Sequence, residues 1–207
     1  MTRIFLLLAI ICLLPGCATV HKSQPAAVYD FGIQPPPSSG PSAQPAQLRK
    51  KSLLVADTTA PVWLDNKAIH YRLLYHNPSQ SHTYAKNRWI ATPAALLTQQ
   101  LRNRIAAGTQ EQVIKDNSIA SADYVLHTEL EEFSQAFDTA TDSHIVAGLR
   151  ASLIERNTRK LLAQKDFHIT AKAPSPDATG AVSALSAASN QLLDELINWL
   201  SAALPRD

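Results

Sequence analysis

An α+β fold is what the chain's patterning predicts: a single domain in which an antiparallel or mixed sheet carries two main helices on one face. Three observations carry it. Several segments between residues 50 and 172 alternate apolar and polar residues with a period of two, and two others carry apolar residues at three-and-four spacing. The alternating segments are apolar on one face only, which suits an antiparallel sheet covered from a single side.

The elements follow in order. Ile4 to Leu14 is an uncharged, mostly aliphatic run behind Arg3. It is shorter than the roughly 18 residues a spanning helix needs and matches a secretory leader core. Its ending, Leu14-Pro15-Gly16-Cys17, resembles the bacterial lipobox, with Pro15 an uncommon occupant of its position. That resemblance implies cleavage after Gly16, a diacylglycerol thioether on Cys17, and an acyl chain such as palmitate on the new amino group. Residues 1–16 therefore read as a signal peptide and 17–27 as a lipidated terminus and polar tether, with a reach of roughly 30 Å. Ala18 stands where aspartate would favour inner-membrane retention in lipoprotein sorting, so the same analogy points to the periplasmic face of the outer membrane. Cleavage also removes Cys12, and of the two cysteines only Cys17 remains. The mature chain then has neither a disulfide framework nor a thiol nucleophile.

A domain is expected over 28–204. Val28 to Ile33 reads as a short strand with Tyr29, Phe31 and Ile33 on one face. Gln34 to Gln47, "QPPPSSGPSAQPAQ", has too little apolar content to offset ordering and reads as a proline-rich mobile loop. Ser52 to Asp57 is a buried strand. Trp63 and Leu64 precede a polar turn at Asp65-Asn66. Ile69 to His76 alternates Ile69, Tyr71, Leu73 and Tyr75 against His70, Arg72, Leu74 and His76, and Asn77 to Ser81 gives a turn signal.

Thr92-Pro93 announces the first helix, a capping hydroxyl followed by proline at the first helical position. Leu97, Leu101 and Ile105 form its stripe and Gly108 ends it. The stretch from Gln112 to Lys172 is strand-rich. Tyr124, Leu126, Thr128 and Leu130 share a face until Glu132-Phe133 breaks the alternation, which a bulge repairs. Ile145, Ala147, Leu149, Ala151 and Leu153 share the next face, and Asn157 to Lys160 turns the chain back. The last helix starts near Ser175-Pro176-Asp177 and carries Val182, Leu185, Leu192, Leu196 and Trp199, with Ala188 and Ser189 filling the gap.

Chemistry is sparse. The seven histidines include no HxH or HxxxH pair, so solvated strand histidines are the simpler reading and no metal is expected. GxSxG and phosphate-cradling loops are absent, and Glu129, Glu131 and Glu132 read as a solvated acidic face rather than paired catalytic carboxylates. No enzyme and no cofactor are expected. Lys and Arg total 19 against 17 acidic residues, a formal charge of +2 with no basic stripe, which suggests no nucleic-acid partner. Trp63, Tyr71, Tyr75, Tyr84 and Trp89 cluster between 60 and 90. They form either a binding platform or, the favoured reading for Trp89 and Tyr71, core anchors under the first helix.

The order of "YDFG", "LLVAD…APVWLDNKAIHYR", "NRWIATPAALLTQQLRNRI", "ADYVLHTELEEFSQAF" and "LLDELINWL" behind a lipobox resembles the ABC-type transport auxiliary lipoprotein family, which includes paraquat-inducible protein C-like subunits. The long proline-rich stretch after Ile33 departs from the family pattern. The resemblance implies an accessory to a transporter made of an ATPase, a permease and an MCE-domain substrate-binding protein. Such systems move lipids or apolar compounds between membranes. A homo-oligomer is compatible with it. Trp63, Tyr71, Arg72, Arg88 and Trp89 are then expected at or just beneath a partner-docking surface. The alternative is a lipid-binding or outer-membrane assembly lipoprotein, of the lipopolysaccharide-assembly or pilotin type.

Overall fold

The structure is a computed structural model that describes residues 25–32, 52–108, 112–115 and 122–205. The leader, Cys17, Ile33 and the proline-rich stretch 34–47 lie outside the described residues. The elements are β1 (Ala27–Tyr29), β2 (Ser52–Val55), β3 (Ala68–Leu73), β4 (Asn77–Trp89), α1 (Pro93–Gly108), β5 (Gln112–Lys115), β6 (Tyr124–Phe137), β7 (Ser143–Glu155), β8 (Lys160–Lys172) and α2 (Ala178–Ala203). They form the expected single α+β domain, with a mixed sheet of eight strands.

β6 is the hub of that sheet. Along one flank it pairs antiparallel with β7 over its full length, and β7 pairs antiparallel with β8. Its other flank is shared by two strands, both parallel to it. β2 takes the first part, Leu53–Val55 against Tyr124–Leu126, and β3 takes the last, His70–Leu73 against Ser134–Phe137. A bridge between Thr59 and Glu129 carries the chain across the gap. β5 extends the sheet beyond β2, while β4 and then β1 extend it beyond β3, leaving β1 as an edge.

The bulge expected in β6 is present. Leu130 pairs with Leu149 and Glu132 with Gly148, which leaves Glu131 unpaired and reverses the parity of every later side chain. Leu126, Leu130 and Phe133 therefore all reach the core, beside Ile145, Ala147, Leu149, Ala151 and Leu153 of β7. Leu97, Leu101 and Ile105 of α1 and Leu185, Leu192 and Leu196 of α2 complete it. Ala188 and Ser189, also buried, let α2 approach closely. Val182 and Trp199 flank this stripe, half-buried.

Both helix starts are capped. Thr92 Oγ1 accepts from the Ala95 amide (3.3 Å). Asp177 accepts from the Gly180 amide (2.8 Å) and from the Ser175 hydroxyl (2.7 Å), so the carboxyl is held below the usual carboxylate range, chiefly by the amide. Among the described residues no helix is long and apolar enough to cross a membrane.

Two expectations are corrected. The turn falls at Leu74–His76, closed by the His76 amide on Leu73 O (3.1 Å), and Asn77 to Ser81 opens β4 instead. Pro78 is tolerated because the β3–β4 register jumps from Arg72–Ser81 to Leu73–Asn77, so its missing N–H falls in an irregular stretch. Leu74, Tyr75 and His76 consequently do not continue the alternation of β3. The first strand also stops early, at Tyr29. The Gly32 amide donates to Asp30 Oδ1 (2.8 Å) and Gly32 adopts φ +81°, a local turn that ends the strand and drops Phe31 into the core.

Candidate docking site

The segment Pro61–Lys67 sets the site. The Leu64 and Asp65 amides both donate to Pro61 O (2.8 and 2.9 Å), a tight turn that plants Leu64 in the core at 1% exposure. Asn66 locks the turn from inside: its Nδ2 donates to Trp63 O (2.7 Å) and its Oδ1 accepts from the Ala68 amide (2.8 Å). With Leu64 pointing inward, Val62 and Trp63 are left outside, 94% and 40% exposed.

Trp63 lies over the sheet face opposite the helices, the face formed on β3 by His70 and Arg72. Its ring meets His70 at 89° with centroids 5.7 Å apart, and the Arg72 guanidinium sits 5.8 Å from its centroid. His70 is only 7% exposed. Its Nε2 approaches Asn66 Oδ1 at 3.2 Å, so Nε2 carries the proton, and Nδ1 is buried without a hydrogen-bond partner. Burial lowers the pKa of His70. The Glu132 carboxylate opposes that shift and the Arg72 guanidinium adds to it. Glu132 in turn accepts from the Ser134 hydroxyl (2.7 Å), beside His70 in the sheet.

The five expected docking residues are not all brought together. Trp63 is exposed and lies in cation–π range of Arg72, which is half-buried and also donates to Pro78 O (3.4 Å). Arg88 is exposed but pairs with Ala68, roughly 13 Å along β3 from Arg72. Tyr71 faces the opposite side and is half-buried among His82, Tyr84 and Phe137, with centroids 5.1, 4.7 and 5.7 Å away. Trp89 is removed from the surface altogether. It is 1% exposed and packs edge to face on Phe31 (5.3 Å, 83°) and against Phe133 (5.8 Å), because the register shift between Thr83 and Arg88 reverses the parity of β4 and turns Trp89 inward. Val62 and Asn66 belong to the site and were not singled out by spacing. The polar Asp65-Asn66 turn was the signal pointing to them.

Elsewhere, the acidic group on β6 is partly neutralised. Arg150 pairs with Glu131 (2.9 Å) and Asp166 (2.7 Å). Among the described residues no group of three or more His, Cys, Asp or Glu side chains could hold a metal ion. A cleft of about 470 Å³ beside the start of α1 is lined by Asp57, Thr58, Thr92, Thr98 and Arg102. Arg102 is already engaged there, by Val55 O (2.7 Å) and Asp57 (2.9 Å).

A model of ABC-type transport auxiliary lipoprotein components matches residues 29–197. No curated protein matches the chain. Among solved structures, a Xanthomonas campestris protein is 20% identical with a TM-score of 0.71, over 86% of this chain and 96% of its own. An uncharacterized protein is 14% identical with a TM-score of 0.63, over 86% and 99%. A hypothetical protein of Chlamydia trachomatis is 11% identical with a TM-score of 0.50, over 72% and 95%. These likenesses show a shared fold.

Proposed function

This chain belongs to the ABC-type transport auxiliary lipoprotein components, and from that membership we propose that it is a lipid-anchored accessory on the periplasmic face of the outer membrane. It docks on an MCE-type ABC transport system that moves lipids or other apolar compounds between membranes, and it performs no catalysis itself. The lipid is carried on Cys17.

The observation that supports docking is the Trp63–Arg72 pair. A large amphipathic ring is held outside a rigid turn by the buried Leu64 and capped by a guanidinium, the residue types that dominate protein interfaces. Val62, at 94% exposure, extends the contact. Tyr71 supports the patch from behind the sheet.

The test is affinity capture of the mature lipidated protein from crosslinked membranes, with mass spectrometry of what accompanies it. An MCE-domain protein and its permease are expected, and they should be lost when Trp63 and Arg72 are replaced together by alanine. Recovery of only an outer-membrane barrel or a secretin would assign the fold to a different machine.

A further inference from the structure

The edge of the sheet formed by β1 and the end of β4, beyond β3, carries a second surface. A groove of about 340 Å³ is lined by Val28, Tyr29, Phe31, Gly32, Ile90 and Val182. Val28 and Ile90 at its mouth are 48% and 54% exposed. Ser186 also lines it, and its hydroxyl is buried without a partner. Cations border the groove. Val28 pairs in register with Arg88, and the exposed Lys86 directly precedes Asn87, the partner of Ala27. Both are exposed, and among the described residues neither has an ion-pair partner. One acid, the exposed Asp30, also lines the groove, and its carboxylate accepts from the Gly32 amide in its own turn.

We propose that this edge rests on a lipid bilayer, with Val28 and Ile90 entering the interface and Lys86 and Arg88 meeting anionic headgroups. The position of the tether argues for a bilayer over a second protein. β1 is the first described strand, and the chain from Cys17 to Val28 spans at most about 40 Å. The edge where the anchored chain enters the domain is therefore always within reach of the membrane. Two exposed apolar side chains with a lysine and an arginine beside them match the chemistry of an anionic interface. The inference rests on the lipid anchor and not on the transporter.

The test uses the mature, lipidated protein in vesicles with a single new thiol, Ile90→Cys, carrying an environment-sensitive fluorophore. Leu161→Cys on β8, exposed but away from this edge, serves as the reference. In vesicles rich in phosphatidylglycerol the Ile90 label should shift to the blue and resist aqueous quenchers while the Leu161 label does not. Lys86→Gln and Arg88→Gln should each lower the ratio of bound to free edge about fivefold. Three results would overturn the inference: equal quenching at both labels, equal protection in zwitterionic vesicles, or protection of the Ile90 label in unlipidated Cys17→Ser protein without lipid. The last would mean that the protein's own chain covers the groove. Val28→Cys reports on the same edge if Ile90→Cys does not fold. No transporter is present, so the result stands apart from failure of the docking proposal.

Discussion

Trp63 and His70 meet at right angles, ring centroids 5.7 Å apart, and the indole closes over an imidazole whose Nδ1 has no partner. The neutral imidazole is the form this environment holds, since burial lowers its pKa. An unfolded histidine titrates near 6.5. Between that value and the lower folded one the unfolded chain binds more protons, so stability from burying neutral His70 is present above about pH 6.5 and declines below it. Melting temperatures of the protein and of His70→Gln, measured from pH 7.5 to 5, should therefore differ in slope. The variant is expected to lose less stability on acidification, and parallel curves would show that His70 does not titrate in this window.

Trp63 and Trp89 should separate cleanly on substitution. Trp89→Ala removes a ring packed on Phe31 and Phe133 and should cost about 3–5 kcal/mol in urea denaturation. Trp63→Ala should cost about 1 kcal/mol while abolishing partner capture. If instead Trp63→Ala unfolds the protein, the indole is a core group and not a docking group.

Tyr84 donates to Gln135 Oε1 (2.6 Å), and Gln135, fully buried, donates to Ser143 Oγ (2.8 Å) and to Ser175 O (3.3 Å). Burial first, then Tyr71 and Asp177, pushes the Tyr84 phenol far above its usual range. Tyr84→Phe leaves a buried amide oxygen without its donor and should cost about 1–3 kcal/mol. In an ultraviolet titration the wild type should retain one phenol that ionises only well above the usual tyrosine range, and Tyr84→Phe should lose that step.

Gly180 sits in the first turn of α2, where alanine would ordinarily favour the helix. A β-carbon there would lie 2.0 Å from Ser175 O, a backbone atom in the loop that caps the helix. Gly180→Ala should therefore destabilise, by about 1–3 kcal/mol. A rise in melting temperature would show that the 175–177 loop relaxes freely.

Much of the fold is legible in the residues because the cues are local. Thr92-Pro93 states a helix start, and the parity break at Glu132-Phe133 states a bulge. β4 was hidden because Asn77-Pro78 carries turn chemistry while its pairing is decided by the register jump opposite Arg72. The site was half legible for a related reason. Parity placed Arg72 on one face of β3 and Tyr71 on the other. Nothing local to Trp63 says that Leu64, and not Trp63 itself, will turn inward. That choice is made by the Pro61 turn and by the room left in a core assembled from distant segments.

The divided flank of β6 has a consequence for the order in which this sheet assembles. β6, β7, β8 and α2 follow one another along the chain, and their contacts close short loops. The other flank waits for strands far upstream, as the Ser52–Asp123 hydrogen bond shows with its sequence separation of 71. Closing long loops is slow and entropically costly. Amides of β3 and β4 should therefore exchange with deuterium before those of β7, and the β1-β4-β3 side of the sheet, with the Trp63 turn, should be the last part to join and the first to open. If a partner grips Trp63 and Arg72 as proposed, it fastens the looser half of the sheet to the firmer one, so its occupancy and the integrity of that half rise together.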